Sequence, residues 1–308
     1  MIITLTNWHI VTSNNDFNSQ KTLKFMRSIL LSCAILCSFT LQAKEPQSLA
    51  PSFAEWQKTI QNPLSPNFSL PLTFKHHGGA PNGDVQIASF SPIMPIRFDG
   101  WNIINQLTLN LMWTPGDITG IKGLPEPYTG NGHGGSDGYA AGLADMDFTS
   151  YFSTTLGENF TFGLGPTFTF PTDEPSRELG SGKFSIGPAL MMVYQPSQWT
   201  LSLEIQHIWS VIGSAGREDV SQMIIEPAVY YNLPQGWYLL SDMQMVANWR
   251  SNAQQRWTIP VGAGVGKLFR VGDNAINSHV AAYYNPVTPD AGPDWSINFS
   301  LEFVFGNH

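Results

Sequence analysis

The sequence predicts an all-β fold, a transmembrane antiparallel up-and-down β-barrel of about twelve strands. Three observations predict it. Only 12% of the 308 residues are charged, while 42% are apolar; the charged share is about half that of a typical globular chain. Apolar and polar side chains alternate over segments of about ten residues, the period and length of a tilted bilayer-spanning strand. Tryptophans recur at both ends of such segments, where amphipathic rings anchor at the two lipid–water interfaces. The body of the chain has no run of ~20 apolar residues, which excludes a bundle of transmembrane helices.

The stretch 24–43 looks like a secretory signal, and a start at Met26 gives a signal peptide of conventional layout over 26–43. Lys24 and Arg27 give a basic start, Ser28 to Phe39 an apolar stretch, and Leu41-Gln42-Ala43 a small-residue end, which places cleavage after Ala43. Residues 1–25 read as an over-called start. Cys33 and Cys37 are the two cysteines, and both lie in the apolar stretch. The mature chain is therefore expected to hold no disulfide, thiolate nucleophile or cysteine metal site. Leu31-Ser32-Cys33 resembles a lipoprotein box only faintly, because Arg27 leaves too few apolar residues ahead of it. Removing residues 1–43 takes away Lys21, Lys24, Arg27 and Asp16, leaving 12 basic and 22 acidic residues and a net charge of −10. No basic patch remains to hold phosphates, so nucleic acid is not an expected partner.

Residues 44–67 are rich in Pro and Ser, with a helical turn around Phe53 to Trp56, and read as a periplasmic tail or a plug entering the barrel. The barrel proper is expected over 68–305, with strands near 68–75, 84–98, 101–113, 143–156, 160–170, 183–195, 198–211, 220–232, 236–249, 256–269, 275–285 and 294–305. The last is the most regular. Trp295, Ile297, Phe299, Leu301, Phe303 and Phe305 share one face; Ser296, Asn298, Ser300, Glu302 and Val304 share the other. The segment 84–98 is the least regular, and Pro92 and Pro95 predict a bulge or an early end to pairing. Short turns at Asp99-Gly100, 157–159, 196–198, 234–236 and 272–274 alternate with long connections at 114–142, 171–182, 212–219, 250–255 and 286–293. That alternation is expected of periplasmic turns and outer loops. The first long loop carries Gly130, Gly132, Gly134, Gly135 and Gly138, a composition that favours flexibility. Trp101 with Trp113, Trp199 with Trp209 and Trp237 with Trp249 mark the two ends of single strands. Together with Trp295 they are the expected interface anchors.

Assigning the apolar face to lipid leaves Asp145, Asp147, Glu204, Glu226, Asp242, Arg256 and Glu302 as lumen-lining candidates. Carboxylates are costly in lipid but tolerable in a wet lumen or when paired across it. They read either as a structural hydrogen-bond network or as a selectivity lining biased towards cations and uncharged polar solutes. His207 shares its face with Leu203 and Trp209, which is the outer one, and reads as an interfacial residue. Outer-membrane phospholipases place a His and a Ser on such a face, and Ser210 and Ser241 are the serines at hand. Ser210 has the opposite parity, and no spacing fixes a third orienting residue. Asp290 to Asp294 reads as a turn and His76-His77 as a solvated loop, neither having metal-ligand spacing around it. No metal, cofactor or catalytic residue is expected.

Several motifs, taken in order, carry a family resemblance. They are Phe162 to Thr172, Leu179 to Pro188, His207 to Ser210 with Asp219-Val220, Trp257 to Val261, Lys267 to Phe269, and Pro289 to Trp295. The set resembles the transporter-like bacterial barrels labelled as the putative MetA-pathway of phenol degradation, sometimes mislabelled neuromedin U, from about Asn62 to Phe305. The resemblance implies a Gram-negative outer-membrane barrel with a transport role, and it carries over no catalytic residues. One departure is the C-terminus, where Gly306-Asn307-His308 follows the terminal aromatic that the barrel assembly machinery commonly reads. The expected partners are outer-membrane lipid, that machinery and a small-molecule solute. The functional expectation is a channel for small, aromatic or weakly polar solutes; the alternatives are a closed partner-binding barrel and a lipid-modifying enzyme.

Overall fold

The computed structural model describes residues 52–124, 139–173 and 179–305. The signal segment, the first residues of 44–67, the glycine run from Gly130 to Gly138 and the terminal Gly306-Asn307-His308 lie outside the described residues. Among those described, no helix is long and apolar enough to cross a membrane.

The single α-helix described, α1 (Phe53–Ile60), is set by its first turn. Ser52 and Glu55 form a reciprocal capping box: Glu55 N–H donates to Ser52 Oγ and Ser52 N–H donates to Glu55 Oε2. The helix continues a full turn beyond the Phe53 to Trp56 segment expected from sequence.

Fifteen strand segments come after it: β1 (Ser69–Gly78), β2 (Val85–Phe90), β3 (Ile93–Arg97), β4 (Asn102–Thr114), β5 (Ala140–Leu143), β6 (Met146–Leu156), β7 (Phe160–Phe170), β8 (Lys183–Tyr194), β9 (Trp199–Gly213), β10 (Ser221–Asn232), β11 (Trp237–Asp242), β12 (Met245–Asn248), β13 (Trp257–Val271), β14 (Asn274–Val287) and β15 (Trp295–Val304). Three barrel strands are each broken in two, as β2/β3, β5/β6 and β11/β12, so the closed antiparallel barrel has twelve. Closure comes from β1 and β15, which pair from Ser69↔Val304 to Gly78↔Trp295. The break in the second strand falls at Ser91-Pro92, where proline lacks the N–H the ladder needs. Register is unchanged across it: Phe90 faces Leu109 and Ile93 faces Gln106.

The alternating pattern sorts side chains between two environments. On β15, Ile297 is 45% exposed while Ser296 and Ser300 are buried; on β7, Leu164 is 56% exposed while Thr167 is buried. Trp101, Trp199, Trp209, Trp237, Trp249 and Trp295 all lie exposed on the outer wall, and Trp113 is half-buried. Trp101, Trp199 and Trp237 fall beside short turns, and Trp113, Trp209, Trp249 and Trp295 beside long loops, giving one ring level at each end.

His76 and His77 belong to β1 rather than to a loop, a correction to the sequence reading. The strand's phase simply continues through them. His76 points outward, its ring 5.2 Å from that of Trp295, and His77 points into the lumen.

Candidate functional site

The lumen is occupied at both ends by the chain's own segments and holds a polar chamber. At the short-turn end, residues 52–66 run across the barrel. Gln57 Nε2 donates to the carbonyls of Leu233 and Trp237, and Lys58 Nζ to that of Gln195. Trp56 packs among Leu268, Ala275 and Val304. Leu64 inserts among Ile104, Tyr151, Ala189, Met191 and Val193, and Arg97 Nε donates to the Pro66 carbonyl at 2.9 Å. One segment thus touches walls from β4 round to β15.

At the long-loop end, the first ten residues of the connection after β4 fold inward. Ile118, Ile121 and Leu124 are buried with Val85, Ile87, Met112 and Leu179. The segment then reaches the opposite wall, where Thr119 N–H donates to the Ala291 carbonyl and Gly123 N–H to Gln222 Oε1. Gln222 Nε2 returns a bond to the Leu124 carbonyl. Nothing in the strand periodicity announces this insertion, but the spacing of Ile118, Ile121 and Leu124 in a polar, glycine-rich loop was a readable sign of burial.

Beneath the inserted loop, which lines it with Ile121, Lys122 and Gly123, lies a cavity of about 260 Å³. Its wall is largely hydroxyls and amides, among them Thr73, Ser89, Gln106, Thr108, Asn110, Thr149, Gln206 and Gln244. Four of the expected lumen residues, Asp145, Asp147, Glu204 and Glu226, face it, together with Lys75, His77 and Lys122, which the sequence reading did not select. Lys122 Nζ lies 3.1 Å from Asp147 Oδ2. Glu204 accepts from the Tyr151 hydroxyl and from Gln206 Nε2. Gln244 Nε2 donates to Glu226 Oε1 at 2.6 Å while its own oxygen accepts from Lys75 Nζ at 3.4 Å, a polar chain from β10 to β1. Asp145 accepts from the backbone and hydroxyl of Ser181.

The other three candidates sit elsewhere. Asp242 accepts from Tyr283 and lies 3.6 Å from His279 Nε2, and Glu302 is bonded to Ser69 and Asn277. Both are inside the barrel but outside the chamber. Arg256 lies at the long-loop end over the Trp249 ring, 4.8 Å from its centroid, and donates to the Ser251 carbonyl. A residue at a strand start is free of the strand's parity, which is why elimination by face misplaces it.

At the loop rim, Asp219 joins Lys183 at 3.2 Å and Arg250 at 3.6 Å. The hydrogen bond from Lys183, backed by both cations, holds its carboxyl below the usual aspartate range. On the outer wall, His207 stacks on Trp209 with centroids 4.2 Å apart, and its Nε2 lies 3.3 Å from Ser221 Oγ. The serine partner is therefore neither Ser210 nor Ser241. Among the described residues no third group is hydrogen-bonded to that ring.

The family described as "Putative MetA-pathway of phenol degradation" matches the chain over residues 78–218. That stretch is less than half of the chain. The matched stretch holds the walls bearing Asp145, Asp147 and Glu204 and the inserted loop with Lys122. It ends short of Asp219-Val220, Trp257 to Val261, Lys267 to Phe269 and Pro289 to Trp295, so the likeness is shorter than the motifs suggested. Among solved structures, an outer-membrane channel from Pseudomonas putida F1 is 14% identical, with a TM-score of 0.57 over 85% of this chain and all of that one. The NanC porin (8% identical, TM-score 0.48, 78% of this chain and 100% of that one) and the CymD monoaromatic hydrocarbon channel (9%, 0.43, 82% and 93%) also match. At these identities the likeness is one of fold. No curated protein sequence matches. The chain has the closed twelve-stranded antiparallel barrel fold of these outer-membrane channels.

Proposed function

We propose that this barrel is a channel for small, aromatic or weakly polar solutes, closed at rest by two segments of its own chain. The observation that carries the reading is the chamber. Small barrels fill their interior with side chains and larger ones enclose cavities or channels; here about 260 Å³ stays open beneath the inserted loop. An apolar cavity of about 150 Å³ is enough to hold benzene, so a single-ring molecule fits. Rings of hydroxyl and amide groups would exchange hydrogen bonds with a polar substituent, and Ile87, Met112, Ile121 and Leu179, which also line the cavity, would meet the ring. The family's description, which ties its members to phenol degradation, supports the same solute class.

The topogenic account belongs to this proposal. Residues 24–43 direct export and are removed after Ala43, the short-turn end faces the periplasm, residues 52–67 plug that end, and Phe305 serves the barrel assembly machinery. Trp56, Leu64 and the Gln57 and Lys58 bonds support the plug. The same insertion favours a second reading, a closed barrel whose loops bind a partner. Swelling of liposomes containing purified protein separates the two. Influx of phenol-sized uncharged solutes, falling off steeply with molecular volume, is the expected result; absence of influx for every solute leaves the closed barrel.

A further inference from the structure

We propose that the chamber's carboxylates form a binding site for a small primary ammonium ion, and that Lys122 is its tethered occupant. The inference deepens the channel reading, on which its physiological sense rests, by naming small organic amines as a solute class.

The geometry separates the cation from the site. Asp147 stands on β6, Glu204 on β9 and Glu226 on β10, fixed by the barrel wall, whereas Lys122 arrives on an inserted loop. Its ammonium makes the 3.1 Å contact with Asp147 and feels Glu204 and Glu226 through space. The carboxylates also have wall partners of their own: Thr169 Oγ1 donates to Asp147 Oδ1 at 2.7 Å, and Gln244 to Glu226. The site would therefore keep its shape without the lysine. Gln206, buried in the chamber wall, presents an Oε1 with no hydrogen-bond partner, an acceptor that Lys122 leaves unused.

Withdrawal of the loop upsets the charge balance of the chamber. Lys75, the other ammonium there, is engaged by Gln244. Loss of Lys122 leaves enclosed carboxylates short of positive charge, a state that is costly away from bulk water. A free ammonium relieves it and, with three N–H donors, meets carboxylate and amide oxygens together. A quaternary ammonium has no donors and cannot.

The test reads thermal unfolding of the purified full chain in detergent, comparing wild type, Lys122→Ala and Lys122→Ala/Asp147→Asn in methylammonium or tetramethylammonium chloride at equal ionic strength. The expected result is a saturating upward shift in Tm for Lys122→Ala with methylammonium alone, the signature of a ligand that binds the folded state. The wild type and the double variant should not shift. Equal shifts with both salts, or a shift of equal size in the wild type, would overturn the proposal. If Lys122→Ala does not refold in sodium chloride, refolding yield is read instead: methylammonium restores it, and failure of both amines to do so overturns the site. Binding is read without flux, so a protein that binds the amine yet passes no solute in the swelling assay loses the channel reading and keeps the site.

Discussion

Gln61 and Asn232 exchange two hydrogen bonds: Gln61 Nε2 donates to Asn232 Oδ1 at 2.8 Å, and Asn232 Nδ2 donates back to Gln61 Oε1 at 3.1 Å. Both side chains are buried, and the pair ties the segment after α1 to the last residue of β10. Removing one amide strands the other away from water. Gln61→Ala is expected to destabilise the fold by about 1–3 kcal/mol, measured by urea unfolding in lipid. Combining it with Asn232→Ala should recover part of that loss, since the double variant strands no amide.

Gly266 faces inward on β13 because Tyr238 fills the space its side chain would take. A Cβ there would lie 2.1 Å from Tyr238 Cζ, while the Tyr238 hydroxyl is held by Asn277 at 2.6 Å and cannot swing aside freely. Gly266→Ala is expected to cost about 1–3 kcal/mol by overpacking. Urea unfolding checks this, and Tyr238→Ala in the same chain should absorb most of the effect.

Acid is expected to loosen the loop rim at Asp219 before it unfolds the barrel. The carboxyl is held below its ordinary range by Lys183 and Arg250. Its contribution is therefore complete above that range and is lost as pH falls through the lowered folded value. Limited proteolysis of the 214–220 connection with pepsin across that window should show cleavage rising as pH drops. Asp219→Asn should show fast cleavage throughout, with the pH step gone.

Much of the fold was legible because lipid imposes a period-two pattern with few exceptions. Trp199 to Trp209 and Trp295 to Phe305 sort cleanly, and Pro92 marked the interrupted strand. Legibility failed where the constraint was not lipid. His76-His77 before two glycines looked like a turn, although the phase of Thr73 and Lys75 already placed His77 inside. The Ser52–Glu55 capping box was present in the sequence and predicts a longer helix than the apolar residues alone. Asp147, Glu204 and Glu226 could be assigned to the lumen by parity. Their meeting with Lys122 could not, because an inserted loop obeys no strand period and its landing point depends on Gln222 and Ala291 across the barrel. Arg256 failed for the same reason, lying just outside β13.

Closure by two segments in series is the claim on which the functional account turns, and single-channel conductance in planar bilayers tests it most directly. The comparison needs the full chain, a chain lacking residues 52–67, the Ile118→Ser/Ile121→Ser/Leu124→Ser variant that releases the loop, and the two changes combined. The account predicts brief openings in the first three and a persistent open level only in the combined protein. A full chain already open at that same level, or a folded combined barrel that stays shut, would contradict it.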